Sequence, residues 1–249
     1  SYYADNNKKC SPFFIVRPDP SDFPEADLSV DPYVLGCVLG DGYIASKTNS
    51  VFMSSADKEL IDRMSERLGD DYIIEKYNKE SYSWVVKERW DDGKIHATAK
   101  KLRNKLRTLD ACYKSENKKI PKEYLWGSIE QRRDLLKGLM DTDGCASKGR
   151  ISFATISEQM KDDFLYLVRS LGYEAHVRVD VRENKYPNSG KCYNISILGN
   201  DVENIFYLSR KIRSYREYKS NRKNSIKRIP REKTIDYGNK TVSREELPI

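Results

Sequence analysis

Two apolar segments that each end in Asp-Gly organise this chain. The first, residues 32–40, is apolar nearly all round and begins with Asp31-Pro32, residue types favoured at a helix cap and at the first helical position. It predicts a helix that stops at a turn at Asp41. The second, residues 132–144, predicts another such helix, ending at Asp143.

A similar series of elements follows each helix. The first is followed by a predicted strand at 51–54, an amphipathic helix bearing Leu60, Ile61, Met64 and Leu68, strands at 71–77, 82–90 and 94–100, and a helix at 99–109. The second is followed by a strand and helix within 150–173, strands at 174–184 and 191–199, and a helix at 202–212. The two Asp-Gly turns, at 41 and 143, lie 102 positions apart, which is too long for a solenoid repeat. The pattern predicts two tandem α/β halves related by a pseudo-two-fold axis.

The repeat sets the expected domain boundaries. Residues 31–115 form the first half and 116–220 the second. Residues 1–30 are polar and contain four prolines, which favours an extended N-terminal lead-in. Residues 221–249 form a C-terminal tail, which begins in a basic stretch.

Composition narrows the class of protein. The chain has 249 residues, of which 38% are hydrophobic and 33% charged, as in a soluble globular protein. It contains no apolar run near the roughly 18 residues of a membrane helix, and its start lacks the layout of a secretion signal. We therefore expect a cytoplasmic protein with access to DNA, or a nuclear or organellar one in a eukaryote, and no membrane partner.

Cysteine and histidine usage limits the possible metal chemistry. The five cysteines are widely spaced and contain no CxxC pair, so we interpret them as free thiols. Only His96 and His176 are available, which leaves little material for a histidine-rich site. Carboxylates must therefore hold any metal ion.

Positive charge is concentrated near the C-terminus. The net charge is +7, and residues 210–233 hold eleven basic side chains against two acidic ones, with Tyr215 and Tyr218 among them. Basic residues interleaved with aromatics are typical of a surface that binds a polyanion, most often nucleic acid. A solvated basic tail is the alternative.

The two predicted motif helices bring a pair of acids together. Gly36 and Gly138 occupy equivalent places, and glycine allows two helix backbones to approach closely. If the helices pack on each other, Asp41 and Asp143 emerge side by side. Adjacent carboxylates repel unless a cation lies between them, which predicts a divalent metal site. A lone Asp-Gly is usually only a helix stop, but two copies in two similar units favour a function.

These segments resemble a known family. VLGCVLGDG at 34–42 and LKGLMDTDG at 136–144 resemble the nonapeptide of the LAGLIDADG homing endonucleases, the first as a degenerate copy and the second as a close one. The likeness extends over about residues 30–220. Within this family, the sequence around the two motifs is most similar to endonucleases embedded in inteins. It implies a site-specific endonuclease that binds double-stranded DNA.

The resemblance also implies a fold and an active site. The fold is α+β, with two pseudo-symmetric αββαββα-like halves packed through the motif helices, and saddle-shaped antiparallel sheets entering the DNA major groove. The eighth residue of each nonapeptide is the metal-binding acid, here Asp41 and Asp143, with Mg2+ as cofactor and Mn2+ as a substitute. Lys118 matches the position of a catalytic lysine in intein-type members, and Lys211 or Lys219 is its expected counterpart. Asp141 corresponds to Leu39 in the first copy, so we expect a secondary role for it.

Long basic side chains are the expected DNA contacts. Those on the strands alternate with apolar residues, as base or phosphate donors would, although a solvated strand face explains each equally well. The predicted DNA-binding residues are Lys76, Lys87, Arg89, Arg178, Arg182, Lys191, Arg216, Lys219, Arg222 and Lys223.

Alternatives remain open. The chain begins with Ser1, has no histidine before His96 and ends in ELPI, so we expect no protein splicing, and a free-standing enzyme or an isolated nuclease module. Both halves lie in one chain, which favours a monomer without an obligate protein partner. The rival functions are a non-cleaving RNA maturase or transcription regulator, and a strand-specific nickase, which the degenerate first motif would suit.

Overall fold

The computed structural model describes residues 18–45, 48–90, 93–96, 98–111, 114–181, 190–199, 201–220, 235–237 and 240–242. Residues Pro20–Asn221 form one compact unit that contains both predicted halves. The remaining residues form a second unit, in which strands Ile235–Tyr237 and Lys240–Val242 pair antiparallel. Within the described residues, no helix has the length and apolar character needed to span a membrane.

The first half alternates helices with pairs of strands. Its elements are α1 (Pro32–Asp41), β1 (Gly42–Ile44), β2 (Val51–Ser54), α2 (Lys58–Leu68), β3 (Tyr72–Lys76), β4 (Ser83–Arg89), β5 (Ile95–His96) and α3 (Lys100–Thr108). The strands form an antiparallel sheet in the order β1-β2-β4-β3, and β5 pairs with β4.

The second half repeats this order. A short 3-10 helix (Ser115–Asn117) and α4 (Lys122–Leu125) lead into α5 (Ile129–Thr142), β6 (Gly144–Ser147), β7 (Arg150–Thr155), α6 (Glu158–Ser170), β8 (Glu174–Val181), β9 (Lys191–Leu198), a 3-10 helix (Val202–Ile205) and α7 (Ser209–Ser220). Its antiparallel sheet has the order β6-β7-β9-β8. The predicted α+β fold with two αββαββα-like halves is confirmed.

The two halves meet where α1 packs along α5. Gly36 and Gly138 lie at the crossing, and a Cβ atom built on Gly138 would come 2.2 Å from the carbonyl oxygen of Tyr33. Only glycine allows this approach. The helix starts are fixed locally, since the Asp31 side chain accepts from the backbone N–H of Val34, and Ser128 with Gln131 forms a capping box on α5.

The strands that directly follow the motif helices were not predicted from the sequence. The expected turns at Asp41 and Asp143 instead pass straight into β1 and β6. Gly42 has an extended backbone, and a Cβ there would lie 2.6 Å from the Cα of Val38, so the glycine permits a direct exit from helix to strand. The short helix α4 was also missed, and the strand predicted at 94–100 is limited to β5 within the described residues.

The helix predicted at 202–212 is interrupted. A 3-10 helix ends at Ile205 and α7 begins only at Ser209. The backbone N–H groups of Tyr207 and Leu208 donate to the carboxylate of Asp141, at 3.1–3.2 Å and 3.1 Å respectively, instead of to helix carbonyls. A tertiary contact therefore replaces the local helix hydrogen bonds.

The described part of the lead-in, residues 18–30, contains no helix or strand. Hydrogen bonds attach it to the second half. The Gln131 side chain exchanges two hydrogen bonds with the backbone of Ala26, and the Tyr124 hydroxyl bonds both backbone groups of Val30. The fully buried Arg132 guanidinium donates to backbone oxygens of Gly127, Ser170 and Ser21.

The thiols in the described residues are free, as predicted. Cys37 and Cys192 are buried and Cys145 is exposed. Cys10 and Cys112 lie outside the described residues.

Candidate active site

The two motif acids lie at the ends of the packed helices. Asp41 is the last residue of α1 and Asp143 caps α5. Asp41 is half-buried and Asp143 is exposed, so solvent reaches both side chains. Partial desolvation by the surrounding protein and then the negative charge of Asp143 raise the pKa of Asp41 to about 6. The same kind of desolvation raises the pKa of Asp143 above its usual range, even though part of its side chain contacts solvent. The structure thus brings the two predicted acids within electrostatic range of each other.

Lys118 lies beside the end of α1. Its Nζ atom donates to the carbonyl oxygen of Gly40 at 2.5 Å, where the helix dipole favours a positive charge. The second half positions this lysine, because the Ser157 hydroxyl donates to the carbonyl oxygen of Lys118 and the carboxylate of Asp163 accepts from the backbone N–H of Ile120.

Lys211 occupies the corresponding place at the end of α5. Its Nζ atom lies 2.6–3.2 Å from the carbonyl oxygens of Met140, Asp141, Thr142 and Gly144, and the side chain is buried. Burial lowers the pKa of the ammonium to about 8, against the opposing charge of Asp141. Four carbonyls share three ammonium protons, so Lys211 is bound more completely than Lys118.

The two lysines act on both acids. The positive charges of Lys118 and Lys211 each lower the pKa of Asp41 and of Asp143, against the burial that raises it. The four predicted catalytic residues therefore form one electrostatic cluster, although their catalytic roles stay predictions.

Asp141 is occupied by protein donors. It is 2% exposed, and its carboxylate accepts from the Tyr33 hydroxyl at 2.9 Å as well as from the two backbone groups at Tyr207 and Leu208. Burial raises its pKa to about 6 despite these bonds. Its contacts connect α5 to α1 and to the segment before α7, which agrees with the secondary role expected from the sequence.

The predicted DNA-binding residues do not all share one sheet face. Register places Lys87, Arg89 and Arg178 on the faces turned away from α2 and α6. Lys76 pairs with Trp84, and Lys191 with Val181, on the opposite faces. The basic residues predicted to contact DNA are therefore divided between the two faces of each sheet.

Several of these side chains already have acidic partners. Lys87 pairs with Glu75 at 2.6 Å and Arg178 with Asp180 at 3.0 Å. Arg216 on α7 is exposed and lies 3.7 Å from Glu203. Arg182, Arg222, Lys223 and the side chain of Lys219 lie outside the described residues.

Residues 130–229 match the model of a family described as "LAGLIDADG-like domain". These 100 residues, out of 249, are the part of the chain that is similar to the LAGLIDADG-like family. The match confirms the resemblance that the motif at 136–144 predicts. The matched residues include Asp143 and Lys211, whereas Asp41 and Lys118 precede them, in the half that repeats the same order of elements.

Two curated proteins that this chain resembles are named as replication proteins. The replicative DNA helicase DnaB of Mycobacterium intracellulare is 29% identical over 198 residues, which are 79% of this chain and 28% of the relative. The replication factor C small subunit of Methanocaldococcus jannaschii is 28% identical over 166 residues, 66% of this chain and 8% of the relative. The chain thus spans about a quarter of one relative and less than a tenth of the other.

A solved structure of mesophilic variants of the homing endonuclease I-DmoI aligns with this chain at a TM-score of 0.49 and 12% identity. The alignment covers 76% of this chain and 97% of that one.

Sequence reasoning missed two features around the candidate site. The partners of Asp141, Tyr33 and the segment at 207–208, lie far from it in sequence, and no periodic signal links them. The aromatic residues Tyr43 and Phe52 also escaped notice, although the position of Tyr43 two residues after a motif acid would have marked it.

Proposed function

We propose that this chain is a site-specific endonuclease that hydrolyses phosphodiester bonds of a long double-stranded DNA target with a divalent cation. The observation that supports this most is the pair of solvent-accessible acids, Asp41 and Asp143, at adjacent ends of the two motif helices with raised pKa values. A fold alone does not need two acids at this place, because mutual repulsion and partial burial destabilise their charged forms.

The acids fit a magnesium ion. Mg2+ prefers oxygen ligands and is commonly held by one or two carboxylates together with water and substrate phosphates. The described residues contain no group of three or more His, Cys, Asp or Glu side chains that would enclose an ion. Asp41 and Asp143 would hold Mg2+, or Mn2+ in its place, with positions left for DNA. When bound, the cation supplies an activated water and stabilises the leaving oxygen of the phosphodiester.

The lysines have separate tasks in this proposal. Lys118 donates one hydrogen bond to the described residues and keeps further N–H groups for a phosphate oxygen or a water near the acids. Lys211 holds the end of α5, and its charge favours the ionised form of both acids. Both lysines thus favour the deprotonated form of the metal-binding acids.

We also propose an oligomeric state, a biological role and a cellular location for the chain. The chain works as a monomer, since both halves and both acids lie in one compact unit. It promotes homing of a host element, in a cytoplasmic compartment with access to DNA or in a nucleus or organelle. The alignment of most of this chain with a short part of a helicase supports a nuclease module of the kind found within longer proteins.

A strand-specific nickase is the second candidate. The observation that favours it is the unequal binding of the lysines, because Lys211 is saturated by backbone carbonyls whereas Lys118 is not. Two unequal halves would cut the two strands at different rates.

Neutralising either acid tests the proposal. Supercoiled plasmids bearing a library of candidate sites are incubated with the protein in Mg2+, Mn2+, Ca2+ or EDTA. We expect linear product in Mg2+ and Mn2+, and binding without cleavage in Ca2+. Asp41→Asn and Asp143→Asn should each abolish double-strand cleavage while changing specific affinity by less than about tenfold, roughly 1.4 kcal/mol.

Asp62→Asn provides the matched control, because Asp62 is an exposed acid on α2 and should cut normally. Normal cleavage of both strands by either motif variant, or cleavage in EDTA, would contradict the metal site. Nicked product from the unmodified protein would support the nickase, and binding without any cleavage in Mg2+ would indicate a non-cleaving regulator or maturase.

A further inference from the structure

The uncovered faces of the two sheets differ in chemistry at equivalent positions. In the first sheet, β-strand register aligns Tyr43, Phe52 and Val85 in one row across β1, β2 and β4. In the second sheet the corresponding row across β6, β7 and β9 consists of Cys145, Ser152 and Ser196. The correspondence is exact in register, because Gly42 pairs with Met53 as Gly144 pairs with Phe153.

The apolar row of the first sheet is a packed aromatic cluster. The rings of Tyr43 and Phe52 stack with their centroids 5.2 Å apart, and Tyr77 meets Phe52 edge-on at 5.1 Å. Phe52 and Val85 are buried but lie outside the main core, because they point away from the helices. Tyr43 and Tyr77 cover Phe52 and are themselves 44% and 64% exposed. The uncovered face of the first sheet therefore presents an apolar patch at β1 and β2, whereas Glu75 and Lys87 lie farther across the same face on β3 and β4.

The second sheet presents hydrogen-bonding groups instead. The row of Cys145, Ser152 and Ser196 continues to His176 on β8, and the next row pairs Asn194 with Arg178. His176 and Arg178 are exposed. Hydroxyl, imidazole and guanidinium groups recognise donors and acceptors on base edges.

We propose that the two sheets read their DNA half-sites by different chemistry, with the Tyr43–Phe52–Tyr77 cluster contacting thymine methyl groups and the second sheet forming hydrogen bonds. This inference rests on the proposed function, in which the uncovered sheet faces lie in the major groove. The C5-methyl group of thymine is the apolar feature that the major groove offers. An exposed apolar surface beside Asp41 gains from burial against such methyls. The target half-site under the first sheet is thus rich in thymine.

Replacing thymine with deoxyuridine tests this directly, since it removes only the methyl group. Duplexes are first selected by the full chain from a randomised pool in Ca2+, and thymines are then replaced in one half-site at a time. We expect one thymine-rich half-site in which affinity falls about fourfold per contacted methyl, from about 0.8 kcal/mol for each buried group. The other half-site should tolerate the replacement.

Two variants assign the effect to the protein. Tyr43→Ser introduces a small polar side chain like those of the second sheet, and should abolish the sensitivity to deoxyuridine, whereas Tyr43→Phe should retain it. Ser152→Ala, at the position equivalent to Phe52, is the matched control and should leave the sensitivity unchanged. Circular dichroism melting establishes that each variant is folded.

The possible failures are distinguishable. If no duplex is enriched, both this inference and the proposed function are overturned. If the selected duplex is bound and cut but neither half-site responds to deoxyuridine, or both respond equally, only the half-site inference is overturned. Sensitivity that persists in Tyr43→Ser would also overturn it, by placing the methyl contacts elsewhere.

Discussion

Substituting Gly138 with alanine should separate the two motif helices. The added Cβ atom would lie 2.2 Å from the carbonyl oxygen of Tyr33 and 2.9 Å from both the Cys37 nitrogen and the Gly36 Cα, where ordinary contact begins at 3.4 Å. All three are backbone atoms, so no side chain can rotate away. The shortfall of about 1.2 Å at the Tyr33 oxygen must be met by moving α1 away from α5.

The expected loss of stability follows from two opposing effects. Overpacking typically costs 1–3 kcal/mol, and backbone contacts on this scale place Gly138→Ala at about 3 kcal/mol. Alanine is better than glycine in a helix by about 1 kcal/mol, which offsets part of the cost. We therefore expect a net loss of about 2 kcal/mol in the free energy of unfolding, or a fall in Tm of about 4–8 °C for a chain of this size.

Urea unfolding followed by circular dichroism measures the change, and plasmid cleavage is measured on the same samples. Gly190→Ala is the control, since nothing lies within 4 Å of the added atom, and its stability should stay within about 0.5 kcal/mol of the unmodified protein. Cleavage by Gly138→Ala should fall even well below its melting temperature, because Asp41 and Asp143 move apart. A Gly138→Ala protein of normal stability and activity would refute the close crossing of α1 and α5.

Three further predictions follow from charged groups. Arg132→Met should lower the free energy of unfolding by about 3 kcal/mol, because buried oxygens lose a charged donor; an unchanged urea midpoint would be inconsistent with its buried contacts. Lys211→Met should lower Tm more than Lys118→Met does, because Lys211 is bound to more backbone carbonyls. Lys118→Met should impair cleavage while Tm stays nearly normal. If Lys118→Met instead lowered Tm more and Lys211→Met only impaired cleavage, the roles of the two lysines would be exchanged. Neutralising the basic residues of 210–233 other than the buried Lys211 should reduce the slope of log affinity against log salt by about four to five if five phosphates are contacted, and an identical slope would mark a solvated tail.

Periodicity in the sequence predicted most of the regular elements and the acid pair. The motif helices, the amphipathic α2 and α6 and the long strands each have a local pattern of apolar residues, so their positions follow from it. The repeat placed Asp41 and Asp143 together because both end the same kind of helix. The lysine at 118 came from the family resemblance and lies beside them.

The features that the sequence did not predict depend on tertiary contacts. Strands β1 and β6 are too short for a periodic pattern, and their Asp-Gly starts are indistinguishable from turns. The break before α7 exists because the carboxylate of Asp141 accepts a hydrogen bond from the backbone N–H of Tyr207, which would otherwise bond within a continuous helix. The two residues lie 66 positions apart in the sequence. The division of basic residues between sheet faces depends on strand register, which side-chain type alone does not determine.

The hydrogen bond between Tyr33 and Asp141 makes the association of the two halves selective. With an offset of 102 positions, Leu135 corresponds to Tyr33 and Leu39 to Asp141. Two copies of the second half would therefore bury each Asp141 without a hydroxyl partner, and two copies of the first half would leave each Tyr33 hydroxyl facing a leucine. The loss of one partner of a buried polar group costs free energy, although Asp141 would keep its backbone donors at Tyr207 and Leu208. This hydrogen bond therefore favours the pairing of one first half with one second half over the pairing of two like halves.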